Sequence, residues 1–249
     1  MTGIELAAAG LFLLVATLYS SVGHAGASGY IAAMALLGFA PEELRPTALA
    51  LNLLVGGIGL IRFWRGGHVR WRNVLPFVLA SAPAAWLAAQ VQLSQDSYGL
   101  LLGAVLLVAA AGVLRTAHRA EAEDAASAGR QVPWGIGLIA GAAIGTLSGL
   151  TGTGGAIFLT PLLLFMRWMP TRDASGTSVA FVWINSLTAL SGLLYSGQSL
   201  PAVLPLWLLA AAAGALLGTQ LGLRWLPVRA LRYSLVAVLM IAAGKLLFA

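Results

Sequence analysis

The polar side chains that could do chemistry in this chain are few, and they gather beside glycine. In "GHAGASG" (Gly23 to Gly29), His24 precedes Ser28 by four residues among Gly23, Gly26 and Gly29. In "GLTGTGG" (Gly149 to Gly155), Thr151 and Thr153 alternate with Gly152, Gly154 and Gly155. Asn52, Asn185, Thr177 and Ser178 interrupt runs that are otherwise apolar. Hydroxyls, amides and glycine-exposed backbone N–H groups are hydrogen-bond donors, and donors clustered at a helix start suit a small anion. His24 could add positive charge to such a site or carry a proton. It could equally be a neutral ring bonded to a backbone carbonyl. The two asparagines could face a cavity, or they could bridge helices.

What is missing narrows the chemistry further. Glu5, Glu42, Glu43 and Asp96 fall near one membrane surface and the other four acids near the opposite one, so no carboxylate is expected at mid-membrane. A cation carrier usually needs buried carboxylates, and its absence here disfavours a cation substrate. There is no cysteine, and a lone intramembrane histidine is a poor metal site. No metal or cofactor is expected. The net charge of +6 comes from basic residues scattered singly through short loops, which reads as membrane anchoring and not as a nucleic-acid surface.

The elements that must position these groups are membrane helices. The chain has 249 residues, 59% hydrophobic and 9% charged, with a mean hydropathy of +0.90. Ten apolar segments are expected at 4–22, 27–40, 45–64, 74–92, 97–115, 133–150, 155–167, 174–195, 200–223 and 228–248. The second and seventh are too short to span a hydrocarbon core of about 30 Å, so each either crosses in part or pairs with its predecessor as a re-entrant hairpin. The N-terminus, with Glu5 in place of a basic region, is not expected to be a cleaved signal. Counting Lys and Arg by side gives twelve against two, with Arg45 and Lys245 the minority. By the positive-inside rule both termini then face outward. Trp64, Trp71, Trp134, Trp168 and Trp225 would form an aromatic belt at the cytoplasmic side. Arg45 and Arg172 lie at opposite mouths, where they could draw anions toward the pore, but surface anchoring is the reading favoured for both.

The halves resemble each other. Gly23, Gly26 and Gly29 align with Gly149, Gly152 and Gly155 at an offset of 126, whereas Thr47/Thr177, Gly67/Gly197 and Gln90/Gln220 align at 130. This divides the chain into a first membrane repeat (1–115), a cytoplasmic linker (116–132) and a second membrane repeat (133–249). Five segments per half is odd, so the second half is inverted. The expected fold is an all-α polytopic membrane protein of two inverted repeats, each with a glycine-broken or re-entrant short segment. The pairs Gly141–Gly145 and Gly214–Gly218 read as close helix packing. At the two glycine clusters, irregular backbone at membrane depth implies a buried or cavity-lining position.

"GLTGTGGAIFLTPLLL" (Gly149 to Leu164) and "GTSVAFVWINSLTALSGLLYSGQ" (Gly176 to Gln198) resemble the TauE/SafE family of sulfite exporters. The first half departs from that pattern at His24, Ala27 and Ser28, and "RPTALALN" replaces Gly-Thr-Ser. The resemblance implies a bacterial inner-membrane protein that exports sulfite, organosulfonates or similar small anions. Its partners would be a small anionic substrate and membrane lipids, with a homo-oligomer open. Two rivals stand beside it. An anion channel of the same architecture would use the same features. "GASG" (Gly26 to Gly29) also fits the serine motif of rhomboid intramembrane proteases, which requires a histidine base within about 3 Å of Ser28.

Overall fold

A computed structural model describes residues 2–21, 24–119 and 132–224, and beyond them only Tyr233, Val236, Met240, Ala243, Gly244 and Leu247, all helical. Gly23, most of the expected linker, Trp225 and most of the tenth segment lie outside the described residues. Among the described residues the helices are α1 (Gly3–Ser21), α2 (Ala27–Leu37), α3 (Pro41–Arg65), α4 (Trp71–Ala89), α5 (Gln95–Arg119), α6 (Trp134–Thr151), α7 (Ala156–Phe165), α8 (Thr171–Tyr195) and α9 (Leu204–Arg224). No strand occurs among them. Four helices, α1, α3, α6 and α8, are long and apolar enough to cross a membrane. This is a helical membrane protein.

Local signals place the ends. Pro41 opens α3, where its missing N–H costs nothing, and Glu42 and Glu43 sit in the first turn against the positive end of the helix dipole. Gly38 closes α2 in the left-handed conformation, its N–H bonded to Ala35. Gly67 and Gly197, also left-handed, turn the chain after α3 and α8. These two helices have 25 residues each.

The short helices do not continue their predecessors. They fold back. Tyr30 of α2 packs edge-on against Phe12, while Gly29, two turns of α1 further along, lies against Val15 and Tyr19. On the other side Gly155 lies against Ile144 and Ser148 of α6. The chain therefore turns back at a glycine break in each half, α2 packing on α1 and α3, and α7 on α8 and α5.

Small residues set the closest approaches. Along α6, Gly137, Gly141, Gly145 and Gly149 meet Pro76, Phe77, Ser81 and Ala85 of α4 in the same order, so the two helices run parallel. A Cβ at Gly141 would run into the Phe77 carbonyl. Gly214 and Gly218 of α9 lie likewise on Leu13 and Thr17 of α1. The packing expected of both glycine pairs is present. At the centre α3 and α8 cross antiparallel, with Gly59 on Val179, Gly57 on Trp183 and Asn52 on Ser186. The helices fall into two opposed sets, α1, α3 and α9 against α4, α6 and α8.

Two expectations need correcting. Trp168 is not in a surface belt: it is 5% exposed and packs on Phe77. Trp64, Trp71 and Trp134 are exposed. The glycine offset of 126 also fails. The left-handed residue just before the short helix is Gly26 in one half and Gly155 in the other, an offset of 129, in line with the 130 that relates α3 to α8.

Candidate functional site

The second break is built from three left-handed glycines, Gly152, Gly154 and Gly155, with φ of 78°, 73° and 85°. A side chain strains each of these positions, which is the local reason for glycine. Neither α2 nor α7 has a side-chain cap at its start. The first N–H groups of such a helix have no intrahelical acceptor, and its dipole leaves partial positive charge there.

Gly154 is wedged between α3 and α8. A Cβ there would strike the Asn52 amide nitrogen and lie 3.1 Å from Ser186 Oγ and 3.3 Å from Val182. The Asn52 amide donates to Ser186 Oγ at 3.2 Å, and Ser81 of α4 donates to Asn185 Oδ1 at 2.9 Å. Both asparagines thus bridge helices. Each also keeps one amide atom with no protein partner, Asn52 Oδ1 and Asn185 Nδ2. Ser148 Oγ and Thr160 Oγ1, on either side of the same break in sequence, are buried without a partner too, as are Thr47 and Ser178 nearer the starts of α3 and α8. An unmade hydrogen bond costs about 1–3 kcal/mol per buried group. Thr151 and Thr153 share a 2.9 Å hydrogen bond, and Thr177 donates to Met169 Sδ at 3.4 Å.

The first break reaches the same pair of helices from the other end. Ala25 lies on Gly56, one turn along α3 from Asn52. His24, half-buried, lines a small cavity of about 40 Å³ with Ser20, Gly56, Gly59 and Arg62. Gly26 is left-handed and Gly29 packs on α1. Ser28 is turned into the hairpin, 2.7 Å from the Tyr19 hydroxyl. The group bonded to Ser28 is thus a phenol, which is no general base at neutral pH. Tyr30 donates to the Ala25 carbonyl and braces the tip.

The structure brings Asn52, Gly154, Gly155 and the Thr151–Thr153 pair together, with Asn185 on the adjoining α4–α8 seam. It leaves Thr177 and Ser178 nearer the α8 start, and commits Ser28 to packing. Residues absent from the sequence-based site are Ser81, Tyr98 and Arg45. Arg45 is not a surface anchor. It is 8% exposed and donates to the carbonyls of Ala89 (2.7 Å), Val91 (3.2 Å) and Gly149 (2.7 Å). Tyr98 of α5 holds the next exposed carbonyl of α6, Thr151, at 3.1 Å. The acceptors of Arg45 lie 44 and more residues away along the chain, and nothing in its own neighbourhood signals them.

Comparison with known proteins identifies the family. Residues 7–246 match the family described as Sulfite exporter TauE/SafE. The chain is 44% identical over 237 residues to the probable membrane transporter protein y4hK of Sinorhizobium fredii, covering 95% of this chain and 96% of that one. It is 30% identical over 173 residues to a probable membrane transporter protein of Xylella fastidiosa Temecula1, covering 65% and 64%. It is 24% identical over 199 residues to the probable membrane transporter protein YunE of Bacillus subtilis, covering 73% and 71%. No solved structure matches. A match over nearly the whole chain, on a bundle with paired glycine breaks, places it in the TauE/SafE family of membrane proteins.

Proposed function

We propose that this protein is an integral membrane transporter that exports a small anion, sulfite or an organosulfonate, by alternating access around the α3–α8 crossing. The observation that carries the reading is the Gly154 wedge. A helix start reaches the α3–α8 crossing beside Asn52, whose Oδ1 is buried without a protein partner, with Ser148 Oγ unpaired beside Gly155 and Asn185 Nδ2 unpaired on the adjoining α4–α8 seam. Whichever way the amides of Asn52 and Asn185 are turned, one end of each is left over. A desolvated oxoanion would satisfy N–H and O–H donors at such a junction.

The two halves, 1–115 and 133–249 on either side of the linker, act as inverted repeats in this reading. Its support is a packing pattern that survives exchange of the halves. The exchange turns α4 on α6 into α9 on α1, α2 on α3 into α7 on α8, and α3 on α8 into itself. Corresponding helices also run in opposite senses. Alternating access would rock one hairpin and then the other away from the crossing. The membrane is the bacterial inner membrane, with the end bearing Arg62, Arg65, Trp71 and Trp134 toward the cytoplasm and both termini outside. A potential negative inside favours anion exit by about 2.3 kcal/mol per charge per 100 mV, which allows export without a coupling ion.

The test is efflux of labelled sulfite from proteoliposomes as internal sulfite rises. A carrier saturates at low turnover, and Asn52→Leu lowers the flux. Flux that stays proportional to concentration makes the protein a channel. No sulfite or sulfonate flux in either direction ends the anion reading.

A further inference from the structure

We propose that the cavity at the Pro41 end of the bundle is a second anion subsite, centred on Arg45, and that its occupant competes with the Gly149 carbonyl of α6 for the guanidinium. This rests on the reading of the chain as an anion transporter.

The cavity measures about 220 Å³, several times a water molecule's share of ~30 Å³. Arg45, Gln92, Tyr98 and Gln198 supply its polar lining and Leu193 an apolar wall. Glu42 is the one carboxylate among the lining residues, and it stands at the exposed rim. Arg45 is a buried cation with no ion pair among the described residues. Its contacts are three carbonyl oxygens, and its Nε–H has no partner. Carbonyl dipoles compensate a guanidinium less well than an anion does, and the Nε and Nη groups form a fork that matches two oxygens of a sulfonate or sulfite. The chemistry selected is an oxoanion head with a short neutral or apolar tail.

The position links occupancy to movement. Arg45 and Tyr98 together hold Gly149 and Thr151, the last carbonyls of α6 before the break. Gly152 lies against the Arg45 stem, where a Cβ would come within 3.0 Å of Arg45 Cα. An anion that takes the guanidinium from Gly149 loosens the α6–α7 hairpin from α3. A departing anion restores the clasp.

The chain has no cysteine, so a single one can be read cleanly. The experiment is maleimide labelling of Gln198→Cys in the purified full-length protein, with ethanesulfonate as probe. Ethanesulfonate is expected to slow labelling several-fold. Arg45→Gln is expected to abolish that protection, and Glu42→Gln, which leaves the clasp intact, to strengthen it. Unchanged labelling while ethanesulfonate still raises the melting temperature would overturn the subsite and leave the central site standing. So would protection that survives Arg45→Gln and ignores Glu42→Gln. No effect of any oxoanion on either readout would sink both proposals.

Discussion

Gly154→Ala tests the wedge on which the central site depends. The substitution does two things at once. It puts a Cβ on a residue whose φ is +73°, which costs about 1–2 kcal/mol for an L residue. It also drives the methyl into the Asn52 amide, so the Asn52–Ser186 hydrogen bond must break or the tip must retreat from α3. Losing that bond adds about 0.5–1.5 kcal/mol, for roughly 1.5–3.5 kcal/mol in all. Gly197→Ala separates the terms. Gly197 has φ +89° but nothing within 4 Å of its would-be Cβ, so it carries the backbone cost alone. The assay is thermal unfolding in one detergent at one scan rate, with and without sulfite. Gly154→Ala should melt below Gly197→Ala and lose the sulfite-induced rise, which Gly197→Ala keeps. Equal melting of the two variants, with the sulfite response intact in both, would refute the wedge.

Other substitutions probe the frame. Gly141→Ala should cost about 1–3 kcal/mol by overpacking, because the obstacle is the Phe77 carbonyl and not a movable side chain, while Gly135→Ala, helical with open space around it, should not lower the same melt. Ser28→Ala should lose about 1 kcal/mol with its bond to Tyr19 yet leave efflux intact and abolish no fluorophosphonate labelling, since none is expected of the parent. Asp173→Ala removes a 2.9 Å partner of His68 that ties the turn after α3 to the first turn of α8. That pair is partly exposed, so its loss should cost no more than about 1 kcal/mol, and a larger drop in melting temperature would contradict this.

Helix positions were readable from the chain because an apolar run of about 20 residues has few other fates. The glycine breaks were readable for the same reason: Gly152, Gly154 and Gly155 weaken a helix where a membrane helix should not be weak. The direction of the chain after each break was not. An 11-residue apolar helix has the same composition whether it continues outward or folds back, and only Tyr30 on Phe12 and Gly155 on Ile144 decide it. The burial of Arg45 is hidden in the sequence for a related reason. A cation just past a short segment looks like an anchor until Ala89 and Gly149, remote in sequence, arrive to receive it. Trp168 misled by position alone, since burial against Phe77 is a tertiary fact. Glycine spacing does not show which glycine carries the left-handed turn before the short helix, and so leaves the register of the repeat open by a few residues.

Sided labelling of the two hairpin tips addresses the account most directly. Single cysteines at Ala25 and Thr153, reconstituted in liposomes of known orientation, would be challenged with a membrane-impermeant thiol reagent from each face, with and without ethanesulfonate. The account predicts that each tip reacts from one face only, opposite for the two, and that the same anion protects both. Two tips reached from one shared face, or an anion that shields neither, would contradict it.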